Sequence, residues 1–198
     1  SLKYVSIPSS IKSIGYHVFE GCSSLKEIVI PNSITTIKSH SFHGCFSLSG
    51  ISLPSTLTGI AEYSFYNCES LIQIDIPKNV AVIANNAFEG CKKLSRITFP
   101  KSLIRLGINA FYGCTSLIKI ILPSYLQNIP NKAFYQCSSL QEILIPNSVG
   151  SIGEHAFCFC TSLCSIIVPN SVTSILNFAF SGCKSLSSVS LSSRLGTI

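Results

Sequence analysis

The chain has little charge, one aspartate, no methionine and no tryptophan. Charged residues make up 11% of its 198 positions, against about 25% in an average soluble protein. Asp75 is the lone aspartate, so no carboxylate pair is set up for acid–base work. No phosphate-cradling glycine loop and no zinc-protease helix motif occurs either. Enzyme activity is not expected. Long apolar runs are also missing, although 46% of the residues are hydrophobic. The run at 118–122 is interrupted by Lys119 and followed by Pro123. A membrane helix takes about 20 apolar residues, so direct membrane insertion is not expected of this segment. No Asn-x-Ser/Thr sequon occurs, so nothing marks a glycosylated ectodomain. The chain opens in mid-repeat with no targeting signal, which reads as an excerpt of a longer protein that continues at both ends.

What is present is a period. Cysteine recurs every 23 residues at 22, 45, 68, 91, 114, 137, 160 and 183, with no insertion between copies. Phenylalanine keeps the same spacing three residues earlier, at 19, 42, 65, 88, 111, 134, 157 and 180. A fixed period of this size signals a solenoid, in which each repeat buries its apolar side against its neighbours. The unbroken register predicts a single array over residues 1–198, with eight full repeats and part of a ninth.

One copy shows how the chain is built. Residues 25–31 alternate Ile28 and Ile30 with Glu27 and Val29, the pattern of a half-buried strand. Pro31 ends it, since proline cannot donate to a ladder; the proline recurs in every copy until Ser192 replaces it. Asn32-Ser33 is a turn pair, and Ile34 and Ile37 mark a second short extended segment. Residues 41–45 place Ser or Ala, Phe and Cys at spacings that suit one or two helical turns. Gly at 21, 44, 90, 113 and 182 fits a left-handed corner, for which Asn67 can substitute. Gln136 and Phe159 fit it poorly, so the corner is expected to relax there. Eight positions face inward: Leu25, Ile28, Ile30, Ile34, Ile37, Ser41, Phe42 and Cys45.

The pattern Leu-x-x-Ile-x-Ile-Pro-x-Ser-Val-x-x-Ile-x-x-x-Ala-Phe-x-Gly-Cys-x-Ser is written most fully in residues 140–162 and 163–185. It resembles the BspA-like (treponemal-type) leucine-rich repeat, and the resemblance covers the whole chain. It implies an α/β class fold: a curved right-handed leucine-rich-repeat solenoid with a parallel sheet on its concave side. Proteins like this are typically surface or secreted adhesion and recognition molecules of bacteria and protozoan parasites. The resemblance carries over no catalytic residue and no cofactor.

The eight ladder cysteines are expected to be buried, reduced and inert, because stacked neighbours lie about 5 Å apart while a disulfide wants Cβ atoms near 3.8 Å. Cys158 and Cys164 lie off the ladder, and a disulfide between them stays open. Together with Cys160 they do not match a paired zinc spacing, so no metal is expected. His155 precedes Cys158 by three residues, but no third group orients the pair, and both read as ordinary surface side chains. His17, His40 and His155 share one repeat position. Tyr63, Asn86, Asn109 and Lys132 fill it in other repeats, which reads as exposed and permissive. His17 and His40 should stack, with His43 nearby.

Function is expected on the outward strand positions, the third and fifth of each repeat. Inward positions barely change along the chain, whereas these vary freely. Ile121, Leu144 and Ile167 form an apolar stripe on three successive strands, with Lys119 and Glu142 flanking it and Arg96 just upstream. Contiguous exposed apolar surface marks interfaces, so a protein or peptide partner is expected here. The net charge is +6, and Lys92, Lys93, Arg96, Lys101 and Arg105 cluster in the middle of the chain. No stacking platform accompanies them, so a solvated face is expected rather than a nucleic-acid site. The functional expectation is a recognition or adhesion module at a cell surface or secreted. The alternatives are a structural spacer and a cytoplasmic scaffold.

Overall fold

The computed structural model describes residues 2–198. Each repeat lays down one three-residue strand and one two-residue strand, from Ser13–Ile14 to Ser188–Ser190. Every pairing is parallel and joins a residue to its counterpart one repeat later, as in Lys119↔Glu142 and Ser151↔Ser174. The result is a parallel β-solenoid of about eight turns, with two rows of short strands running along its length.

The strand row is half-buried because its side chains alternate. In Glu27–Val29 the middle residue points into the core while its neighbours face solvent, and Arg96–Thr98, Lys119–Ile121 and Glu142–Leu144 repeat the pattern. Proline then closes a tight turn by accepting from the residue three positions on. The Ile34 amide donates to the Pro31 carbonyl at 3.0 Å, and Val80 to Pro77 at 3.0 Å. Where Ser192 replaces proline the turn survives, with Leu195 donating to Ser192 at 3.4 Å. The missing N–H therefore ends the strand, while the carbonyl makes the turn.

All eight predicted inward positions of the second repeat are buried, and the seven apolar ones belong to one continuous core. Like stacks on like, as the period requires. Phe rings lie nearly parallel at 5.3 Å (Phe88–Phe111), 5.6 Å (Phe111–Phe134) and 5.5 Å (Phe134–Phe157). Ser41, which stands where most copies have alanine, gives its hydroxyl to the Gly15 and Lys38 carbonyls and so is buried without an unpaired polar atom.

Among the described residues the expected helical turns are absent, and the elements form a β-solenoid rather than an α/β fold. Two features prevent a helix. Alternate amides of the closing segment donate to the next repeat instead of to their own turn: His40 to Glu62, Phe42 to Ser64 and Gly44 to Tyr66, at 3.1, 2.9 and 2.8 Å. Two residues per turn also adopt positive φ, as at His40 (62°) and Gly44 (68°), and an α-helix tolerates neither. The corner does not relax at Gln136 or Phe159, which hold φ of 58° and 60°. Their amides still donate to Cys158 and Ser181 at 2.8 Å, so the inter-repeat ladder imposes the conformation despite the Cβ cost, about 1–2 kcal/mol per residue.

Candidate functional site

The outer strand face carries the six residues singled out from the sequence. Ile121 and Leu144 are register partners, and Ile167 occupies the same row one repeat later. They are 58%, 48% and 72% exposed, so the stripe is real surface. Lys119 and Glu142 do more than flank it: Lys119 Nζ meets Glu142 Oε2 at 2.8 Å across adjacent strands. This pair is half-exposed and contributes about 0.2–1 kcal/mol. It leaves the stripe without a net charge at that edge. Arg96 is exposed and makes no ion pair among the described residues.

The strand row is not one continuous sheet. Its strands hydrogen-bond in four pairs, with breaks after Gly50–Ser52, Arg96–Thr98 and Glu142–Leu144. At the middle break no backbone hydrogen bond joins Arg96–Thr98 to Lys119–Ile121 among the described residues. A cleft of about 500 Å³ opens there, lined by Arg96, Thr98, Phe99, Ile118, Lys119 and Ile121 over Ile97. Phe99 is the aromatic in a row otherwise filled by Ile, Leu and Val, and its half-buried ring stands edge-on to Phe111 at 5.7 Å. Sequence reasoning missed Phe99 and Ile118. An aromatic breaking an aliphatic row was the available signal. The first break opens a cleft of about 470 Å³, but its rim carries Glu27 and Asp75.

Several other expectations resolve in the structure. The basic cluster is scattered: Arg96 lies on the three-residue row, Arg105 on the two-residue row, and Lys92 is paired with Glu69 at 2.8 Å. All ten thiols are free. Six of the eight column thiols are buried as expected, while Cys22 and Cys183, at the two ends of the column, are only half-buried. The column thiols are more than small apolar fillers, since from Cys45 onward each Sγ donates to the carbonyl of the phenylalanine one repeat back, as Cys45 does to Phe19 at 3.1 Å and Cys114 to Phe88 at 3.2 Å. Burial pushes the Cys45 thiol up to about 12 and Cys183 to about 11. Such thiols stay protonated and unreactive at neutral pH. Cys158 is buried rather than on the surface, while Cys164 is exposed, and the two are not joined. Among the described residues, no three His, Cys, Asp or Glu side chains are grouped to hold a metal ion.

The histidines stack as expected. His17 lies on His40 at 4.6 Å, and the column continues onto Tyr63 at 4.7 Å. Their shared position is a left-handed backbone site in every repeat, not a merely permissive one, and no glycine occupies it. Glu20, unanticipated, accepts from His17 Nδ1 at 2.5 Å and faces His43 Nδ1 at 2.9 Å. The hydrogen bond from His17 holds the Glu20 carboxyl below its usual range. Burial, helped by the neighbouring His17 and His43, lowers His40.

Comparison with known proteins bears on the whole chain. The family model for the BspA type leucine rich repeat region matches six copies, over residues 1–117 and 82–198. A leucine-rich repeat protein of T. pallidum superposes with a TM-score of 0.73 at 31% identity, over 77% of this chain and 72% of that one. One from Bacteroides ovatus gives 0.62 at 33% identity, over 100% of this chain and 62% of the other. A leucine rich cell surface protein of Faecalibacterium prausnitzii, 24% identical with a TM-score of 0.61 over 91% of this chain and 69% of that one, shares the fold. No curated protein matches. Among the described residues, no helix is long and apolar enough to cross a membrane. The 23-residue turn, the Phe and Cys columns and these matches together place the chain in the BspA-type leucine-rich repeat family.

Proposed function

We propose that the chain is a non-enzymatic recognition or adhesion module of a cell-surface or secreted protein. Residues 1–198 act as one array, and a protein or peptide partner binds the concave side of the strand row through Arg96, Lys119, Ile121, Glu142, Leu144 and Ile167. The observation that carries this reading is the contrast between rows. Inward positions are held to aliphatic residues, Phe, Cys and small Ala or Ser, while the outward positions range over Arg, Lys, Glu, Ser and Ile. Packing does not require Ile121, Leu144 and Ile167 to be apolar, since Ser52 and Ser190 fill the same outward row. Removing such a stripe from water on binding is favourable at about 25 cal/mol per Å².

The surface location draws on the fold neighbours, one a leucine rich cell surface protein and another a pneumococcal vaccine antigen. The stacked phenylalanine column also favours a second reading, a stiff spacer or intracellular scaffold within a longer protein, for which the outer row is indifferent. The double variant L144S/I167S separates the two. A displayed random-peptide library selected on the parent chain should yield binders that the variant loses at least about tenfold, with both proteins melting alike. No binder above background on the parent, or equal binding to the variant, overturns the recognition reading at this stripe.

A further inference from the structure

We propose that the cleft at the middle break takes a partner segment in which a bulky apolar side chain neighbours a carboxylate. The apolar side chain enters between Arg96–Thr98 and Lys119–Ile121, and the carboxylate pairs with Arg96. This deepens the recognition reading above and rests on it. The cleft reaches the core. Its floor is Ile97 and the half-buried Phe99, and its walls include Ile118 and Ile121. A cavity of about 500 Å³ is within the range of small-ligand pockets, about 300–1,000 Å³, so it has room for one large side chain and its flanking backbone.

Charge selects the neighbour. Lys119 already holds Glu142 at 2.8 Å, and Asp75, on the strand paired with Arg96–Thr98, accepts from Thr98 Oγ1 at 2.8 Å. Arg96 is left at the mouth with an unengaged guanidinium, a planar fork suited to gripping a carboxylate with two parallel hydrogen bonds. The first break is an internal control. Its cleft is of similar size, but Glu27 and Asp75 on its rim repel a carboxylate and no aromatic lines it. Residue chemistry, rather than the presence of a gap, therefore distinguishes the middle cleft. The stripe also gives the segment a direction. Its acid lies on the Arg96 side and its further apolar side chains lie toward Leu144.

Peptides selected from a random displayed library on the full chain test this, read by sequence and then as labelled synthetic peptides by fluorescence polarisation. The expected result is enrichment of an acidic residue within two positions of an aromatic or large aliphatic one. R96E, at an exposed position without hydrogen bonds to lose, should melt like the parent. It should weaken these peptides at least about tenfold and recover binding when the peptide acid is exchanged for lysine. Binders that are neutral or basic, or that R96E leaves unchanged while L144S/I167S abolishes them, overturn the acidic-segment inference and keep the recognition face. If no peptide binds the parent above background, the recognition reading fails and this inference fails with it.

Discussion

Truncating Phe111 to alanine probes the stacked column at its centre. The ring is fully buried. It lies parallel to Phe88 at 5.3 Å and to Phe134 at 5.6 Å, and Phe99 meets its edge at 5.7 Å. Lost transfer free energy and the cavity left behind together cost about 3–5 kcal/mol for a buried phenylalanine. That is a large share of the roughly 5–15 kcal/mol that holds a domain folded. In a solenoid the loss also has a location, because stability is a sum of repeat terms and nearest-neighbour interfaces. Phe111→Ala weakens the interfaces on both sides of one central repeat. Phe180→Ala weakens chiefly one, against Phe157 at 5.5 Å, and starts from a ring that is only partly buried. Urea titration followed by far-UV circular dichroism, suited to a chain without tryptophan, should show F111A losing at least twice what F180A loses. Its transition should broaden as the two halves uncouple. F111L, which keeps most of the volume, should cost less than about 1.5 kcal/mol. If F111A unfolds within about 0.5 kcal/mol of the parent, or no earlier than F180A, the column is not what binds repeat to repeat.

Thiol accessibility follows from burial: a thiol reagent at about pH 8 should modify exposed Cys164 rapidly, half-buried Cys22 and Cys183 more slowly, and the buried column cysteines only after denaturation; uptake by any thiol beyond those three in the folded chain would contradict the packing. Alkali should destabilise the fold. Burial raises the column thiols from Cys45 to Cys183 above their ordinary 9.0, to about 12 at Cys45 and about 11 at Cys183, and it raises Tyr66 and Tyr135 in the same sense. The stabilisation is then complete below about pH 9 and lost as pH climbs through the folded values, because the unfolded chain releases protons first. A melting temperature that holds constant from about pH 8 to about pH 11 would refute this. Gln136→Gly should stabilise by up to about 1 kcal/mol, since it relieves a left-handed residue, whereas Gly113→Ala should destabilise by a similar amount. A Cβ there meets nothing closer than 3.9 Å, so a loss at position 113 reports the dihedral alone. Equal chemical midpoints for parent, Q136G and G113A would show that the corner is not strained.

Much of this molecule is written in its period. Copies spaced by 23 residues fix which side chains must pile on which, so the Phe and Cys columns, the proline-ended strands and the outward stripe of Ile121, Leu144 and Ile167 follow from the chain alone. The period does not say where each amide finds its acceptor. A segment such as 40–45 could bond within its own turn or to the repeat above, and only the stacked structure decides, sending alternate amides upward and replacing the expected helix with left-handed corners. The same holds for charge and for the sheet breaks. Lys119 and Arg96 look alike in sequence, yet neighbouring strands give one a carboxylate partner and leave the other without one beside an open cleft. Side-chain columns are set by spacing along the chain, but hydrogen-bond and ion-pair partners are set by distances between turns, which no single repeat contains.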